Sequence, residues 1–199
     1  MSQIIGVLNF QRCKKHIKVF YYYKNTHMNV ILIGMPGAGK STLAEPLAAI
    51  LQKDHVEMDA LIEEQLGTNL QSYIDTHGNE AFKKKERQIM MDVFIKSKNC
   101  VISPPGSLIY YDEIRQWVQE HTNSFIILYL QCPLSILLER TNYFENRGVV
   151  MDKDKPNPYV SLYNERLPLY EHWSQYMIDA QRPKEEVLRS MTTLIQNMF

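Results

Sequence analysis

The sequence predicts an α/β fold, a doubly wound parallel sheet of about five strands with helices on both sides. Short apolar runs alternate with longer stretches of helical periodicity along most of the chain. Most of the strand-like runs are apolar throughout, which is typical of strands that are buried on both faces. Helical stretches separate these runs, and parallel strands need crossover connections of this kind. Together these observations predict a parallel sheet that is covered on both faces.

The candidate elements follow one another in a regular order. Strands are expected at 30–34, 55–57, 100–103, 125–130 and 176–178. Helices are expected at 40–52, 59–66, 70–77, 79–97, 110–121, 133–142, 160–174 and 184–197. Residues 144–160 are polar and contain Gly148, Pro156 and Pro158, so they are expected to form a mobile surface loop. Ligands of such sheets bind at the carboxyl ends of the strands, and this edge is therefore where a site is expected.

The composition is that of one compact domain. The chain has 199 residues, of which 45% are hydrophobic and 22% charged, and no apolar run approaches the roughly 20 residues that span a bilayer. The formal net charge is zero, which gives no electrostatic support to a general role on nucleic acids or membrane surfaces. Three cysteines, Cys13, Cys100 and Cys132, are odd in number and lack a metal-binding spacing. We therefore expect a cytoplasmic protein, monomeric by default, with no nucleic-acid or membrane partner.

Residues 1–27 differ from the rest of the chain. They carry five basic residues and no acidic ones, whereas residues 28–199 carry 17 basic and 22 acidic residues. A basic, acid-free segment is typical of a transit peptide, but this one has only one serine and one arginine. The alternative is a poorly ordered extension, or an upstream start with Met28 as the working one. The folded domain is expected to span residues 28–199.

A glycine-rich loop follows the first predicted strand. Residues 34–41 read Gly-Met-Pro-Gly-Ala-Gly-Lys-Ser and match the phosphate-binding pattern G-x-x-x-x-G-K-[ST] in full. Glycines let the backbone turn its N–H groups toward phosphate oxygens, and the next helix adds its positive N-terminus. In this pattern Lys40 reaches the β- and γ-phosphates, and the Ser41 hydroxyl holds Mg²⁺. The loop predicts a nucleotide-binding protein rather than a plain turn between strand and helix.

The chain from about residue 29 to 197 resembles the shikimate kinase family. The resemblance rests on this loop, on the order of the predicted elements and on the motifs that follow. The segment Ile178-Asp179-Ala180-Gln181-Arg182-Pro183 is similar to the family's adenine-embracing pattern, Ile/Val-Asp-Ala/Thr-x-x-x-Pro, with the proline one residue early. The resemblance implies ATP and Mg²⁺, an arginine stacked on adenine at Arg140, and a lid at about residues 144–160 that brings Arg147 to the transferred phosphoryl group. The nucleotide-binding residues that it implies are Gly37, Ala38, Gly39, Lys40, Ser41, Thr42, Arg140, Asp179 and Pro183.

The half that would bind the phosphoryl acceptor departs from the family at three points. The family's Asp-x-Asp reads Glu57-Met58-Asp59. Here Asp59 keeps the position that accepts from the substrate hydroxyl, and Glu57 takes the position that supports Mg²⁺ through water. The carboxylate-clamping Phe-Arg reads Phe82-Lys83, which replaces a bidentate guanidinium with a point charge. The triple glycine reads Pro104-Pro105-Gly106, and proline has no N–H to offer.

One arginine of the acceptor site is retained. Arg166 fits the family's Arg-x-Pro-x-Tyr-like segment, so the resemblance implies that Asp59, Lys83, Gly106 and Arg166 bind the acceptor. The expected reaction is transfer of the ATP γ-phosphoryl group to a hydroxyl of a small molecule, shikimate or a related hydroxylated acid, with Lys40, Asp59 and Arg147 as the catalytic residues.

The departures leave two alternatives open: a kinase for a different small hydroxylated substrate, and a nucleotide-binding protein without acceptor activity. A nucleoside-monophosphate kinase is disfavoured, because residues 79–103 offer only one arginine, Arg87.

Overall fold

A five-stranded parallel sheet lies at the centre of the computed structural model, which describes residues 28–141 and 157–198. Its strands are β1 (Asn29–Ile33), β2 (Asp54–Glu57), β3 (Cys100–Ser103), β4 (Phe125–Gln131) and β5 (Tyr176–Asp179). They are ordered β2-β3-β1-β4-β5, and every neighbouring pair is parallel. The predicted doubly wound sheet is confirmed, and all five strands lie within one residue of their predicted bounds.

Eight α-helices accompany the sheet within the described residues. They are α1 (Lys40–Leu51), α2 (Met58–Leu66), α3 (Leu70–His77), α4 (Asn79–Lys96), α5 (Asp112–Glu120), α6 (Leu134–Thr141), α7 (Pro158–Trp173) and α8 (Lys184–Gln196). Short 3₁₀ helices at Gly106–Tyr110 and Thr122–Ser124 precede α5 and β4, and the sequence pattern had not predicted them. No helix in the described ranges has the length and apolar character needed to cross a membrane.

Strand β1 is the most enclosed element of the fold. Its residues from Asn29 to Ile33 are each at most 2% exposed, because β3 and β4 pair with its two edges and helices cover its faces. Most buried apolar residues belong to one core around this strand. A separate small cluster holds α2, α3 and α4 together and consists of Ile62, Leu70, Phe82 and Ile89.

The register of the sheet brings the ends of its strands to a common edge. Glu57 at the end of β2 is opposite Ser103 at the end of β3, and Gln131 at the end of β4 is opposite Asp179 at the end of β5. The glycine-rich loop leaves the same edge from the central strand. Candidate site residues from distant parts of the chain therefore meet there, as the parallel arrangement predicts.

Residues 1–27 lie outside the described residues, as does most of the predicted lid at 144–160. The end of that prediction is wrong, because residues 158–160 form the first turn of α7. Pro158 occupies the N-terminal position of this helix, where a missing N–H costs nothing.

Candidate active site

The glycine-rich loop bends through backbone conformations that glycine adopts easily. Gly37 has φ 86° and Gly39 has φ 96°, both in the left-handed region. Gly39 then caps α1, so the first turn of that helix presents its free N–H groups just beyond the loop. Ser41 and Thr42 lie in this turn and are exposed. The loop has the form of an anion cradle at a helix N-terminus.

Lys40 folds back over the loop that precedes it. Its ammonium donates to the carbonyl oxygens of Gly34 at 2.9 Å and Met35 at 3.3 Å. Burial lowers the pKa of Lys40 to about 8, while the nearby carboxylates of Asp59 and Glu57 act in the opposite direction. Lys40 therefore interacts electrostatically with both predicted carboxylates, but burial has the larger effect on its pKa.

The outer side of the loop is held by two side chains from neighbouring helices. The Tyr159 hydroxyl on α7 donates to the Pro36 carbonyl at 2.6 Å. On α6, Arg140 Nη1 donates to the Gly37 carbonyl at 3.3 Å and lies 3.7 Å from Cys132 Sγ. Arg140 thus contacts the phosphate loop, and its role in stacking on adenine stays a prediction. The sequence reasoning had not identified Tyr159.

Two buried oxygens lie at the ends of β2 and β3. Neither Glu57 Oε2 nor Ser103 Oγ has a hydrogen-bond partner among residues 28–141 and 157–198, and His55 Nε2 is 3.9 Å from the Glu57 oxygen. Asp59 lies two residues further on, in the first turn of α2, and is exposed. Unsatisfied buried oxygens are costly, so a cation or water shell is the natural occupant of the space that they face.

A buried acid that the sequence reasoning missed lies near two of the predicted acceptor-binding residues, Asp59 and Arg166. Glu86 on α4 is 3% exposed and accepts from Ser107 Oγ at 2.8 Å and from the Tyr111 hydroxyl at 2.7 Å. Burial raises the pKa of Glu86, and Asp59 and Arg166 are among the charges that act on it. A signal existed, because Glu86 lies four residues after Phe82 and so interrupts the apolar side of the helix.

Arg166 is a buried cation and one of the predicted acceptor-binding residues. It is 5% exposed on α7, its guanidinium lies 5.2 Å from the centre of the Tyr110 ring, and its Nε donates to the Tyr110 hydroxyl at 3.1 Å. That hydroxyl donates in turn to Glu165 at 2.6 Å. A Cβ on Gly106 would come within 2.6 Å of Arg166 Nη1, so glycine is needed here for close approach. The structure brings Arg166 and Gly106 together, and their role in acceptor binding stays a prediction.

Lys83 points elsewhere in this structure. Its ammonium is 2.8 Å from Glu80 Oε1 in the first turn of α4, and 54% of its side chain is exposed. Such surface ion pairs are worth only about 0.2–1 kcal/mol, so this pairing does not fix Lys83 in place. Its acceptor-binding role stays a prediction.

The remaining predicted residues lie at the end of β5 or outside the described ranges. Asp179 ends β5 and accepts from Arg182 Nε at 3.0 Å, an interaction that lowers the pKa of its carboxyl. Pro183 caps α8 a few residues later. Arg147 lies outside the described residues, so its predicted position over the phosphoryl group stays a prediction.

Comparison with known proteins decides the family. A family model described as shikimate kinase matches residues 36–196. The chain belongs to the shikimate kinase family. It is 30% identical over 151 residues to a shikimate kinase from Francisella tularensis subsp. novicida, an alignment that covers 76% of this chain and 84% of the relative. A shikimate kinase from Nitrosomonas europaea is 27% identical over 154 residues, with 77% and 71% covered.

Solved structures of shikimate kinases share the fold. The enzyme from Acinetobacter baumannii in complex with shikimate has a TM-score of 0.77 at 23% identity and covers 89% of this chain and 97% of its own. The Aquifex aeolicus enzyme has a TM-score of 0.72 at 22% identity, with 85% and 96% covered. Family membership makes the chain an ATP-dependent kinase of a small molecule, a phosphotransferase with a hydroxyl acceptor.

Proposed function

We propose that this kinase phosphorylates a hydroxyl group of a small hydroxylated acid, with shikimate as the first acceptor to test. The observation that carries the proposal is the convergence of three charged side chains at one sheet edge. Lys40 lies in the phosphate loop, and both Asp59 and Arg166 act on its pKa. The charged groups expected to bind the nucleotide and the acceptor therefore interact electrostatically, which supports one site for both substrates.

In the proposed reaction the acceptor oxygen forms a bond to the γ-phosphorus of ATP. The bond between that phosphorus and the β–γ bridging oxygen breaks, and ADP leaves with the bonding electrons. Asp59 orients the acceptor hydroxyl and takes up its proton. The Lys40 ammonium exchanges its loop carbonyls for phosphate oxygens and neutralises charge on the leaving group. Arg147 is proposed to neutralise the transferred group.

The residues at the ends of β2 and β3 fit a magnesium ion. Mg²⁺ prefers oxygen ligands and is usually held by one or two carboxylates, waters and substrate phosphates. The unpartnered oxygens of Glu57 and Ser103, with the Ser41 hydroxyl, would hold the ion or its waters. No group of three or more His, Cys, Asp or Glu side chains that could hold a metal ion occurs in the described residues. When bound, the ion would offset charge on the β- and γ-phosphates.

The nucleotide base is proposed to lie near the end of β5. Asp179 and Pro183 frame a short turn there, and Arg140 extends from the last turn of α6 to the neighbouring phosphate loop. Gly37, Ala38, Gly39, Ser41 and Thr42 would supply backbone and hydroxyl groups to the phosphates.

A different small hydroxylated acceptor is the second candidate, and specific observations favour it. Pro104 and Pro105 are buried at the end of β3 and offer no N–H to an acceptor carboxylate. Each missing donor to a buried anion costs roughly 1–3 kcal/mol. Since Lys83 is turned toward Glu80, Arg166 is the remaining buried cation on this side of the described structure. An acceptor without a carboxylate would bind no more weakly because of the two prolines and Lys83.

An ADP-release assay on the full chain with Mg·ATP tests both candidates. Shikimate is compared with a panel of hydroxy acids, sugars and nucleoside monophosphates, and Lys40→Met is the inactive control. Shikimate-dependent turnover that the control lacks supports the first candidate. Turnover with another panel member supports the second, whereas ATP binding without turnover on any acceptor contradicts both and indicates a nucleotide-binding protein that lacks acceptor activity.

We further propose that the enzyme acts as a monomer in the cytoplasm. Cys100 and Cys132 are buried free thiols, a state that a reducing compartment maintains. Light scattering at micromolar concentration gives the mass directly, and a value near twice 23.4 kDa would contradict the monomer.

A further inference from the structure

The carbonyl groups of residues 34–37 all accept hydrogen bonds from side chains. Lys40 donates to the first two, Tyr159 to the third and Arg140 to the fourth. The Tyr159 bond, at 2.6 Å, is the shortest of these. It also bridges 123 residues of sequence, from the first turn of α7 to the middle of the phosphate loop.

The peptide that Tyr159 contacts can rotate readily, because a glycine follows it. It joins Pro36 to Gly37, whose φ of 86° lies in a region that glycine occupies as readily as its mirror image. Rotation of this peptide plane changes ψ of Pro36 and φ of Gly37 and displaces little else. A flip would exchange the directions of the carbonyl and of the N–H, because the two point to opposite sides of a trans peptide.

Tyr159 is well placed to select one orientation. It is half-buried, and burial raises the pKa of its hydroxyl, so the group remains a donor over the whole physiological range. Its ring packs against the main core. Arg166, which lies seven residues later on the same side of α7, faces the acceptor side. One face of a single helix therefore touches both halves of the site.

We propose that Tyr159 is a positioning residue that holds the Pro36–Gly37 peptide with its N–H directed at the nucleotide phosphates. This inference rests on the proposed function, since it presumes that the loop binds ATP. Loss of the hydroxyl leaves the loop free to sample the flipped peptide, in which a carbonyl oxygen would face the phosphates. Binding of ATP and binding of ADP are weakened alike, because the peptide contacts the nucleotide both before and after phosphoryl transfer.

The test compares Tyr159→Phe with Tyr163→Phe, a matched loss of a tyrosine hydroxyl one turn further along α7. Calorimetry of Mg·ADP binding to the full chain measures affinity, and thermal unfolding measures stability. We expect Tyr159→Phe to raise the Kd for ADP about 3- to 10-fold and Tyr163→Phe to leave it unchanged. With an acceptor from the panel, KM for ATP should rise by the same factor while kcat and the acceptor KM stay within twofold. The amide resonance of Gly37 should shift in the free Tyr159→Phe protein.

The outcomes separate the inference from the proposed function. An unchanged Kd in Tyr159→Phe, with or without a lower Tm, shows a merely structural tyrosine and overturns the inference alone. An equal rise in both variants also overturns it, because the effect then follows packing of the helix. A wild-type chain that binds no ADP overturns the proposed function, and the inference falls with it.

Discussion

The carboxylate of Glu86 and the hydroxyl of Tyr111 lie 2.7 Å apart, and their hydrogen bond joins the middle of α4 to the residue just before α5. Glu86 is buried, and its other oxygen accepts from Ser107. On the surface, Arg87 and Glu113 form an ion pair of the same length between α4 and α5. The molecule thus contains a buried and an exposed link between the same two parts of the chain.

These two links should differ in strength. A double-mutant cycle with Glu86→Ala and Tyr111→Phe is expected to give a coupling of about 1–2 kcal/mol, because the hydrogen bond is made to a buried carboxylate. The matched cycle with Arg87→Ala and Glu113→Ala should give less, since exposed pairs contribute about 0.2–1 kcal/mol. Urea unfolding measures both. Equal couplings would show that burial of Glu86 does not strengthen its hydrogen bonds.

Gly106→Ala should damage acceptor binding and leave nucleotide binding intact. The new Cβ would lie 2.6 Å from Arg166 Nη1 and 3.3 Å from the Tyr170 hydroxyl, so the guanidinium must move. We expect a rise of about tenfold or more in the acceptor KM, from the loss of a charge-assisted contact, and an unchanged Kd for ADP. Gly67→Ala is the control, because that glycine ends α2 at φ 69° and no atom lies within 4 Å of its added Cβ. Gly67→Ala should lower the stability and leave the acceptor KM and the Kd for ADP unchanged. A normal acceptor KM in Gly106→Ala would contradict the proposed role of Arg166 in acceptor binding.

Nucleotide binding should take up a proton at alkaline pH. Burial lowers the pKa of Lys40 to about 8, so at pH 8.5 most free molecules hold a neutral amine. A bound phosphate favours the ammonium form and so raises the pKa of Lys40. Binding of ADP above about pH 8 therefore requires uptake of a proton, and the affinity for ADP falls as the pH rises further. Calorimetry at pH 8.5 in buffers of different ionisation enthalpy counts the protons. Lys40→Arg remains charged and should take up none. Uptake that persists in this variant would assign the proton to another group.

The predicted role of Lys83 in acceptor binding can be tested together with its ion-pair partner Glu80. If Lys83 binds the acceptor as the family resemblance implies, Lys83→Ala should raise the acceptor KM about 3- to 10-fold, and Glu80→Gln should not raise it, because it frees the ammonium. Lys84→Ala removes a neighbouring exposed lysine and serves as the control for net charge. Steady-state kinetics in acceptor give the three values. No change in Lys83→Ala would leave acceptor recognition to Arg166.

Most of the sheet could be predicted from the sequence, because most of its strands are short apolar runs between longer helical stretches. Runs such as Phe125–Leu130 are apolar throughout and bounded by polar residues, and β4 extends this run by one residue. The 3₁₀ helix at Gly106–Tyr110 could not be predicted, since its first hydrogen bond joins Leu108 N–H to the Pro105 carbonyl in a stretch without helical periodicity. Helix α5 consequently starts at Asp112, two residues after its predicted start.

The site was predictable where a motif fixes it and not where tertiary contacts build it. The phosphate loop carries its chemistry in consecutive residues, so Lys40 and Ser41 could be named from the sequence. Glu86 was missed because an acid next to three lysines resembles a solvated helix face, and its partner Tyr111 is 25 residues away. Tyr159 has still less local signal, since its contact spans 123 residues.

The small cluster of Ile62, Leu70, Phe82 and Ile89 has a consequence for how such enzymes diverge. Helices α2 to α4 close their own apolar cluster beside the edge strand β2, whereas the phosphate loop leaves the central strand. A substitution in this small cluster disturbs the packing between these three helices and leaves the main core around β1 unchanged. Met58, Met90 and Phe94 of the same helices belong to the main core and would have to be kept. A chimaera that carries the rest of residues 58–96 from a relative could therefore acquire a new acceptor preference while the packing around the central strand is retained.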